Sequence, residues 1–376
     1  MKVLQILGSL CPAGIETWLA RVQVPLKLMG VELDFACYYP EEEANAKFSL
    51  RETLESNGAR VFSISRKNGI VNSLTSLSKI LCANKYDIVH SHDWYSAYAL
   101  PVACWHRIPG RVAQIHPVGD VDGARGFIRQ IMLMTAKQFI WNTANGFLFD
   151  SEAGLNSYGV KSTDKSHHVA IVPLAVDLDS FYREIDIKVI REKYKLPLNV
   201  PIIVYTARFE PHKNHILALE VADRLNEYGL SAHMVFIGSH GSLRQRIELE
   251  ASRRNNVTIL SGVKNIIEVL RASDLFFFPS INEGFGVVAI EACAAGLPVI
   301  ATNLPSIKEA IPPQLHELMF ESDDVEEAIN SLTSLIEDDT LRKKASALCK
   351  DWSRVFSVQH SADSLVNVYR TIMTGR

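Results

Sequence analysis

Apolar residues along the chain fall into short continuous runs, separated by stretches where they recur every three or four positions. Residues 3–7 form the first run. It ends at Gly8 and a Gly/Pro turn, and from residue 15 to 28 apolar side chains return at helical spacing (Trp18, Leu19, Val22, Leu26). Strand, glycine-bearing loop and helix in that order open a doubly wound unit. The pattern predicts further strands at 33–37, 60–64, 87–90, 111–115, 146–149 and 168–172. Helices are predicted between them, near 43–56, 70–83, 95–105, 127–142 and 152–158. Continuous apolar runs alternating with helices argue for a parallel sheet covered on both faces.

The stretch from 173 to 201 breaks the rhythm with Pro173, Pro197 and Pro201 around a charged segment, and reads as an interdomain linker with a short helix. The alternation then restarts. Strands are predicted at 202–207, 233–237, 257–260, 275–278 and 298–301. Helices are predicted near 215–228, 242–253, 266–272, 287–295 and 325–336, with two more in the tail near 341–352 and 361–374. The expected fold is α/β, with two doubly wound domains. The length of 376 residues suits two domains of ordinary size. With 47% apolar and 22% charged residues the chain has the profile of a soluble globular protein, and a net charge of −3 argues against a general nucleic-acid binder.

Six cysteines include no C-x-x-C pair and sit mostly in apolar segments, so buried, reduced thiols of a cytosolic protein are expected. No apolar run reaches the ~20 residues of a membrane helix. The apolar N-terminus invites comparison with an export signal. Gln5 and Gly8 interrupt it, and Leu10 is too large to precede a lipoprotein cysteine, so it reads as a buried strand.

The sharpest chemical signal is Glu283-Gly-Phe-Gly-Val-Val-Ala-Ile-Glu291, which follows a buried strand and opens a helix. Gly284 and Gly286 permit close backbone approach, and the amides of Val287 and Val288 lie at a helix N-terminus, where anions bind. Two carboxylates around such a turn suit a ligand with both hydroxyls and phosphates; the plainer alternative is a strand-to-helix turn with one capping and one solvated glutamate. The second signal is Arg208-Phe-Glu-Pro-His-Lys213-Asn214, placing cations at a strand's carboxyl end beside a helix start, as a diphosphate requires. Two solvated surface charges are the competing reading. Both signals fall at strand ends of the same predicted sheet. A third glycine-bearing loop, Gly8 to Gly14 followed by Glu16, lacks the G-x-G-x-x-G pattern, and no acidic residue ends the second strand, which disfavours a dinucleotide.

His116 ends a predicted strand and either caps it or faces ligand. His90, His92 and Asp93, and separately Asp120 and Asp122, resemble metal ligands but lack third and fourth partners, so no metal is expected. His92 and Asp93 are expected to line the site or cap the helix near Tyr95. Residues 125–141 carry Arg125, Arg129 and Lys137 with no acid. They suit an anionic membrane surface or, more commonly, a core-packed helix with solvated cations.

On these residues the chain resembles family 4 of the retaining glycosyltransferases, which have the GT-B fold: two Rossmann-like domains facing across a cleft. The most specific elements are Glu283 to Glu291 (E-x7-E) and the Arg208/Lys213 pair. The loop with Gly14 and Glu16 is similar to that family's glycine-glycine-x-glutamate loop, and residues 89–94 and 352–369 match its habits. Ala207-Arg208 stands where members commonly have Gly-Arg, Ala13-Gly14 where they often have two glycines, and Pro173-Leu-Ala-Val-Asp177 where Pro-Asn-Gly-Val-Asp is usual.

The resemblance implies an N-terminal acceptor domain at 1–172, completed by a tail helix at 356–376, and a donor domain at 173–355. It implies that Arg208 and Lys213 bind the diphosphate, that Glu291 holds the ribose and that Glu283 holds the sugar hydroxyls. The amides of Gly286, Val287 and Val288 would support sugar and phosphate, and Gly14 would serve in the donor-binding loop. His116 would meet the sugar near the reacting carbon, making His116, Glu283, Arg208 and Lys213 the catalytic set. The donor would be a UDP-, GDP- or other nucleoside-diphosphate sugar and the acceptor a glycan or lipid-linked glycan of the cell envelope. No cofactor is implied. A cytoplasmic location is expected, at most peripheral at the inner face of the membrane through the first domain. The alternatives are a sugar-nucleotide epimerase of similar fold, for which no extra acid/base residues stand out, a nicotinamide dehydrogenase, which the missing glycine fingerprint disfavours, and a non-catalytic glycosyltransferase-like subunit, which the intact charged positions disfavour.

Overall fold

The computed structural model describes residues 1–39, 49–64, 69–116, 127–159 and 167–375, leaving aside the side chains of 127–133. The chain divides into two compact units, Met1–Ala175 with Val358–Arg376, and Val176–Ser357. The divisions fall a few residues after the 172/173 and 355/356 boundaries read from the sequence.

In chain order the first unit runs β1 (Lys2–Leu7), α1 (Gly14–Leu28), β2 (Glu32–Cys37), α2 (Arg51–Ser56), β3 (Val61–Ser63), α3 (Ile70–Ala83), β4 (Ile88–His92), α4 (Ser96–Trp105), β5 (Gly110–Ile115), α5 (Phe127–Thr143), β6 (Gly146–Phe149), α6 (Glu152–Tyr158) and β7 (His168–Ile171). Its seven strands form one parallel sheet in the order β3-β2-β1-β4-β5-β6-β7. Covered on both faces, β1, β4 and β6 are buried almost throughout, and this is why they read as unbroken apolar runs.

The second unit runs α7 (Asp179–Tyr182), α8 (Ile187–Lys193), β8 (Ile202–Thr206), α9 (His215–Glu227), β9 (His233–Ile237), α10 (Arg244–Ala251), β10 (Val257–Leu260), α11 (Ile266–Arg271), β11 (Leu275–Phe278), α12 (Val287–Ala295), β12 (Val299–Ala301), α13 (Pro305–Ala310), α14 (Val325–Glu337) and α15 (Asp339–Ser353). Its sheet is also parallel, in the order β10-β9-β8-β11-β12.

The last helix, α16 (Val358–Thr374), returns to the first unit and packs on α1. Its apolar face buries Ala362, Leu365, Val366 and Tyr369. Burying side chains of this size is worth roughly 1.5–3 kcal/mol each for the larger ones. The join is also directional: the buried Trp18 indole N–H donates to Ser361 Oγ at 2.8 Å, and Ser361 donates to Pro173 O at 3.0 Å.

Three expectations change. The proline-bracketed stretch, read as a linker with a short helix, is packed into the second unit from Val176 on and carries two helices, α7 and α8. Arg191 of α8 is buried, donating to Ala272 O at 2.9 Å and to Asp274 Oδ2 at 2.8 Å. Helix α13, missed in the sequence, begins at Pro305, a residue suited to the first helical turn. Finally, Cys37, Cys293 and Cys349 are buried, whereas Cys82 and Cys104 are exposed on helical faces turned from the core; all six are free thiols.

Among the described residues no helix is long and apolar enough to cross a membrane. Asp120, Asp122, Arg125 and the start of the predicted 43–56 helix lie outside the described residues, as does the Arg129 side chain. Within α5, Phe139 is exposed and Ile140 buried, and the Lys137 ammonium lies 4.6 Å from the centre of the Tyr158 ring.

Candidate active site

In each sheet one pair of neighbouring strands is joined by a crossover from elsewhere in the chain: β1 beside β4, and β8 beside β11. Ligands of open parallel sheets bind outside the carboxyl ends of strands at such a switch point. The site residues read from the sequence cluster at these two places, one in each unit.

In the second unit, β8 ends at Thr206 and leads through Arg208 into a 3₁₀ turn, Pro211–Lys213. Asn214 takes the left-handed conformation (φ 53°) that turns the chain into α9. The buried Tyr205 ties this loop to the one after β11, donating to Lys213 O at 2.6 Å and lying 3.2 Å from Ser280 Oγ. Ile281 N–H donates to His212 O at 2.8 Å. So braced, the Lys213 ammonium meets Glu283 Oε1 at 2.5 Å, with the two side chains only 15% and 11% exposed. Ser306 of α13 in turn donates to Glu283 O at 2.9 Å. Burial and the nearby Lys213 cation hold His212 below the usual imidazole range.

Gly286 stands before α12 at φ 75°, ψ 46°, a left-handed geometry that glycine adopts freely, and a Cβ there would come 3.2 Å from Phe278 Cε1. Val287 and Val288 are half-buried, and the first amides of a helix have no acceptor within it. Glu291 lies one turn on and is buried. Arg208 is exposed, in the electrostatic reach of Glu210 and His212. The structure thus brings Lys213 and Glu283 into contact, and lodges Gly286, Val287, Val288 and Glu291 on one helix start.

Sequence reasoning missed the loop after β9. A Cβ on Gly238 would lie 2.4 Å from Ala207 O, and one on Gly241 2.4 Å from Phe209 O, so both glycines let this loop press on the backbone that carries Arg208. Phe209 N–H also donates to His240 O at 2.9 Å. The available signal was two glycines, three residues apart, closing a buried strand.

In the first unit Gly14 is the first residue of α1, after an extended Ala13 (φ −138°), and a Cβ on it would meet nothing within 4 Å. Alanine at 13 is therefore unstrained, and neither Ala207 nor Ala175 has a positive φ. Burial raises the Glu16 carboxyl to about 7, although its own backbone hydrogen bond and the His116 cation oppose the rise.

His116 lies at the end of β5 and is buried. Its Nδ1 is 2.5 Å from Asp150 Oδ2, its Nε2 is 3.0 Å from His92 Nδ1, and its backbone N–H donates to Asp93 Oδ1 at 2.9 Å. Burial lowers its pKa, but Asp150, Asp93 and Glu16 together outweigh that and carry it to about 9. Asp93 therefore anchors the His116 backbone and caps no helix, since the start of α4 has no side-chain cap. The rings of His90, His92 and His116 stack, with centroids 4.6 and 5.3 Å apart. Among the described residues no group of three or more His, Cys, Asp or Glu side chains is arranged to hold a metal ion.

Two parallel-sheet Rossmann-like units with switch-point sites of this kind define the GT-B architecture. HepE from Anabaena, solved in complex with UDP, superposes with a TM-score of 0.81 at 16% identity, covering 99% of this chain and all of that one. Residues 186–351 match the family model described as glycosyl transferases group 1. EpsF of Bacillus subtilis (strain 168) is 28% identical over 322 residues, 82% of this chain and 80% of its own. The UDP-Gal:alpha-D-GlcNAc-diphosphoundecaprenol alpha-1,3-galactosyltransferase of Escherichia coli is 23% identical over 315 residues, 80% and 79% of the two chains. The protein is a glycosyltransferase of the GT-B fold with a group 1 glycosyl transferase domain in its second unit, in keeping with its resemblance to family 4.

Proposed function

We propose that the protein transfers a sugar from a nucleoside-diphosphate sugar to a hydroxyl of a glycan or lipid-linked glycan acceptor, with retention at the anomeric carbon and without a metal ion. The work belongs to cell-envelope or extracellular polysaccharide synthesis, at the cytoplasmic face of the membrane. The observation that carries this reading is the Lys213–Glu283 pair, at 2.5 Å, which joins the two loops after β8 and β11 at the switch point, the second of which leads through Gly286 into the helix that carries Glu291. HepE binds UDP, and the Escherichia coli relative uses UDP-Gal, which supports a nucleotide-sugar donor.

The chemistry follows from these groups. Lys213, Arg208 and the Val287 and Val288 amides stabilise negative charge on the departing diphosphate; removing one such preorganised group typically costs about 10²–10³ in rate. When Lys213 turns to phosphate, Glu283 is released to accept hydrogen bonds from the sugar. The acceptor oxygen bonds to the anomeric carbon as the bond to the diphosphate oxygen breaks, and the acceptor proton leaves with the diphosphate.

A screen of nucleotide sugars by thermal shift identifies the donor, since a ligand at 100 times its Kd adds about 2.7 kcal/mol. With that donor, nucleoside diphosphate should be released when a glycan acceptor is added, in excess chelator as well as without it. Turnover lost in chelator and restored by manganese or magnesium refutes the metal-free part. Epimerised donor formed without acceptor refutes the transfer.

A further inference from the structure

One face of the first unit is apolar and free of acid. Helices α3, α4 and α5 lie side by side in that order. Their sequences contain no aspartate or glutamate, and their charged residues are Lys79, Arg129 and Lys137. In a chain where acids outnumber lysine and arginine, 42 to 39, this is a local reversal. Among the described residues the four most exposed large apolar side chains are Leu28, Trp105, Met134 and Val71, and the last three sit one on each of these helices. Apolar surface gathered in this way marks a place where something binds.

Between the three helices runs a groove of about 650 Å³, and small-molecule sites commonly hold about 300–1,000 Å³. Leu74 and Ser78 of α3, Pro101 and Trp105 of α4, and Ala136 and Phe139 of α5 are among its walls, and among the described residues no charged side chain lines it. Ile70 and Tyr98 line both this groove and a second cavity of about 210 Å³. The second cavity is walled by tyrosines. Tyr38 and Tyr95 stack with ring centroids 5.0 Å apart, and Tyr39 meets Tyr95 edge-on at 6.2 Å. Tyr38 and Tyr39 follow β2 and Tyr95 follows β4, while a Cβ on Gly8, after β1, would come 2.6 Å from the Tyr95 hydroxyl. The tyrosine cavity therefore lies at the carboxyl ends of these strands, beside the β1/β4 switch point, where open parallel sheets hold ligands. From there the groove follows α4 to its last residue, Trp105, over roughly 10 Å.

We propose that the first unit takes a lipid-linked acceptor, a sugar joined through phosphate to a long apolar chain, with the chain in the groove between α3, α4 and α5 and the sugar at the tyrosine-walled cavity. This rests on the transfer reaction proposed above and narrows its acceptor from glycans in general to those carried on lipid.

The two cavities match the two ends of such a molecule. The C–H faces of a sugar ring pack on aromatic rings, and tyrosine hydroxyls exchange hydrogen bonds with sugar hydroxyls. An apolar chain suits a groove whose lining carries no charge. The lack of carboxylates on all three helices leaves nothing there to repel the linking phosphate or the anionic lipids around it. A free glycan would leave Trp105 and Phe139 in water. A second copy of the chain docked here about a two-fold axis would set the cations of this face against their own copies.

The binding test uses the full-length chain and farnesyl phosphate, a soluble apolar chain with an anionic head and no sugar. Calorimetry should find saturable binding of one molecule per chain. An analogue with a photoreactive group on its chain should label α3, α4 or α5 of the unaltered protein, which reads the location without any variant. Thr75→Asp and Phe139→Asp each put a carboxylate at an exposed position of the groove and should weaken binding by about tenfold or more. Leu249→Asp, at an exposed apolar position of α10 in the second unit, should leave it unchanged. Absence of binding, labelling elsewhere, or equal weakening by all three variants overturns the proposal. Binding to vesicles of phosphatidylglycerol and phosphatidylcholine with none to farnesyl phosphate makes the face a membrane surface alone and also overturns it. So does a dimer in sedimentation that Phe139→Asp dissociates, with no farnesyl phosphate bound.

Kinetics give a second readout once a donor is known. Along a series of alkyl glycosides of one accepted sugar, the acceptor KM should fall as the alkyl chain lengthens in the unaltered enzyme and stay flat in Phe139→Asp, with the donor KM the same in both. Tyr39→Ala should raise the acceptor KM for short and long chains alike. A KM independent of chain length in the unaltered enzyme overturns the proposal, and an unchanged KM in Tyr39→Ala removes the sugar from the tyrosine cavity. If farnesyl phosphate occupies the groove and no nucleotide sugar supports transfer to any glycoside, the proposed reaction fails and the groove stands as a lipid-phosphate site.

Discussion

Lys213 and Glu283 hold each other at 2.5 Å with little exposure, so each is positioned before any ligand arrives. Glu291 is separately buried in α12. The two glutamates should therefore fail in different ways. A carboxylate that accepts from the ribose hydroxyls does so in the ground and transition states alike, so Glu291→Ala should mainly raise the donor KM. Glu283 is assigned to the sugar, where positive charge grows as the bond breaks, and Glu283→Gln should mainly lower kcat, by about 2–4 kcal/mol in activation free energy. Steady-state kinetics on folded variants decides. Reversed effects mean that the roles are exchanged, and a near-normal kcat/KM removes that residue from the site. These residues were legible in the sequence because each sits on a local strand-to-helix turn. Asp150, Gln5 and Tyr369 were not. They lie after β6, on β1 and on α16, and only the sheet order and the return of the last helix bring them to His92 and His116.

At the scale of elements, period and burial explain what could be read. Strands β6, β9, β10 and β11 and helices α3, α6 and α12 match their sequence-predicted limits, because each is bounded by a sharp change from apolar run to helical spacing. The edge strand β3 is only three residues long and partly exposed, so its pattern was weaker and its predicted limits too wide. The start of α12 depends on one backbone conformation. Gly286→Ala would place a Cβ 3.2 Å from Phe278 Cε1 at φ 75°. The left-handed conformation costs an L-residue about 1–2 kcal/mol, and relief by rotation of the turn would displace the Val287 and Val288 amides. Urea melts should show a loss of that size, and the donor KM should rise. Unchanged stability together with unchanged KM would mean that the amides do not meet the donor.

At the scale of the molecule, the groups proposed to meet the diphosphate and ribose (Arg208, Lys213, the Val287 and Val288 amides and Glu291) belong to the unit Val176–Ser357, which has its own parallel sheet. A fragment of residues 176–357 should fold and bind the nucleoside diphosphate of the identified donor, more weakly than the full chain. Calorimetry that finds a folded fragment with no binding would remove the donor site from this unit. The first unit has no such independence. Its α1 face is closed by α16, through Trp18 and Ser361, and Gln5 of β1 and His90 of β4 both meet the Tyr369 hydroxyl of the same helix.

That return of α16 also sets a timetable for the newborn chain. A ribosome adds about 5–20 residues per second, so the 182 residues from 176 to 357 occupy roughly 9–36 s between the two pieces of the first unit. Throughout that interval the sheet built from Met1–Ala175 waits with Trp18 and the apolar side of α1 uncovered, while the second unit can already close on itself. A transcript cut short just before codon 358 thus yields a first unit left uncovered on the face of α1, open to chaperones and proteases, joined to a second unit whose residues are all present.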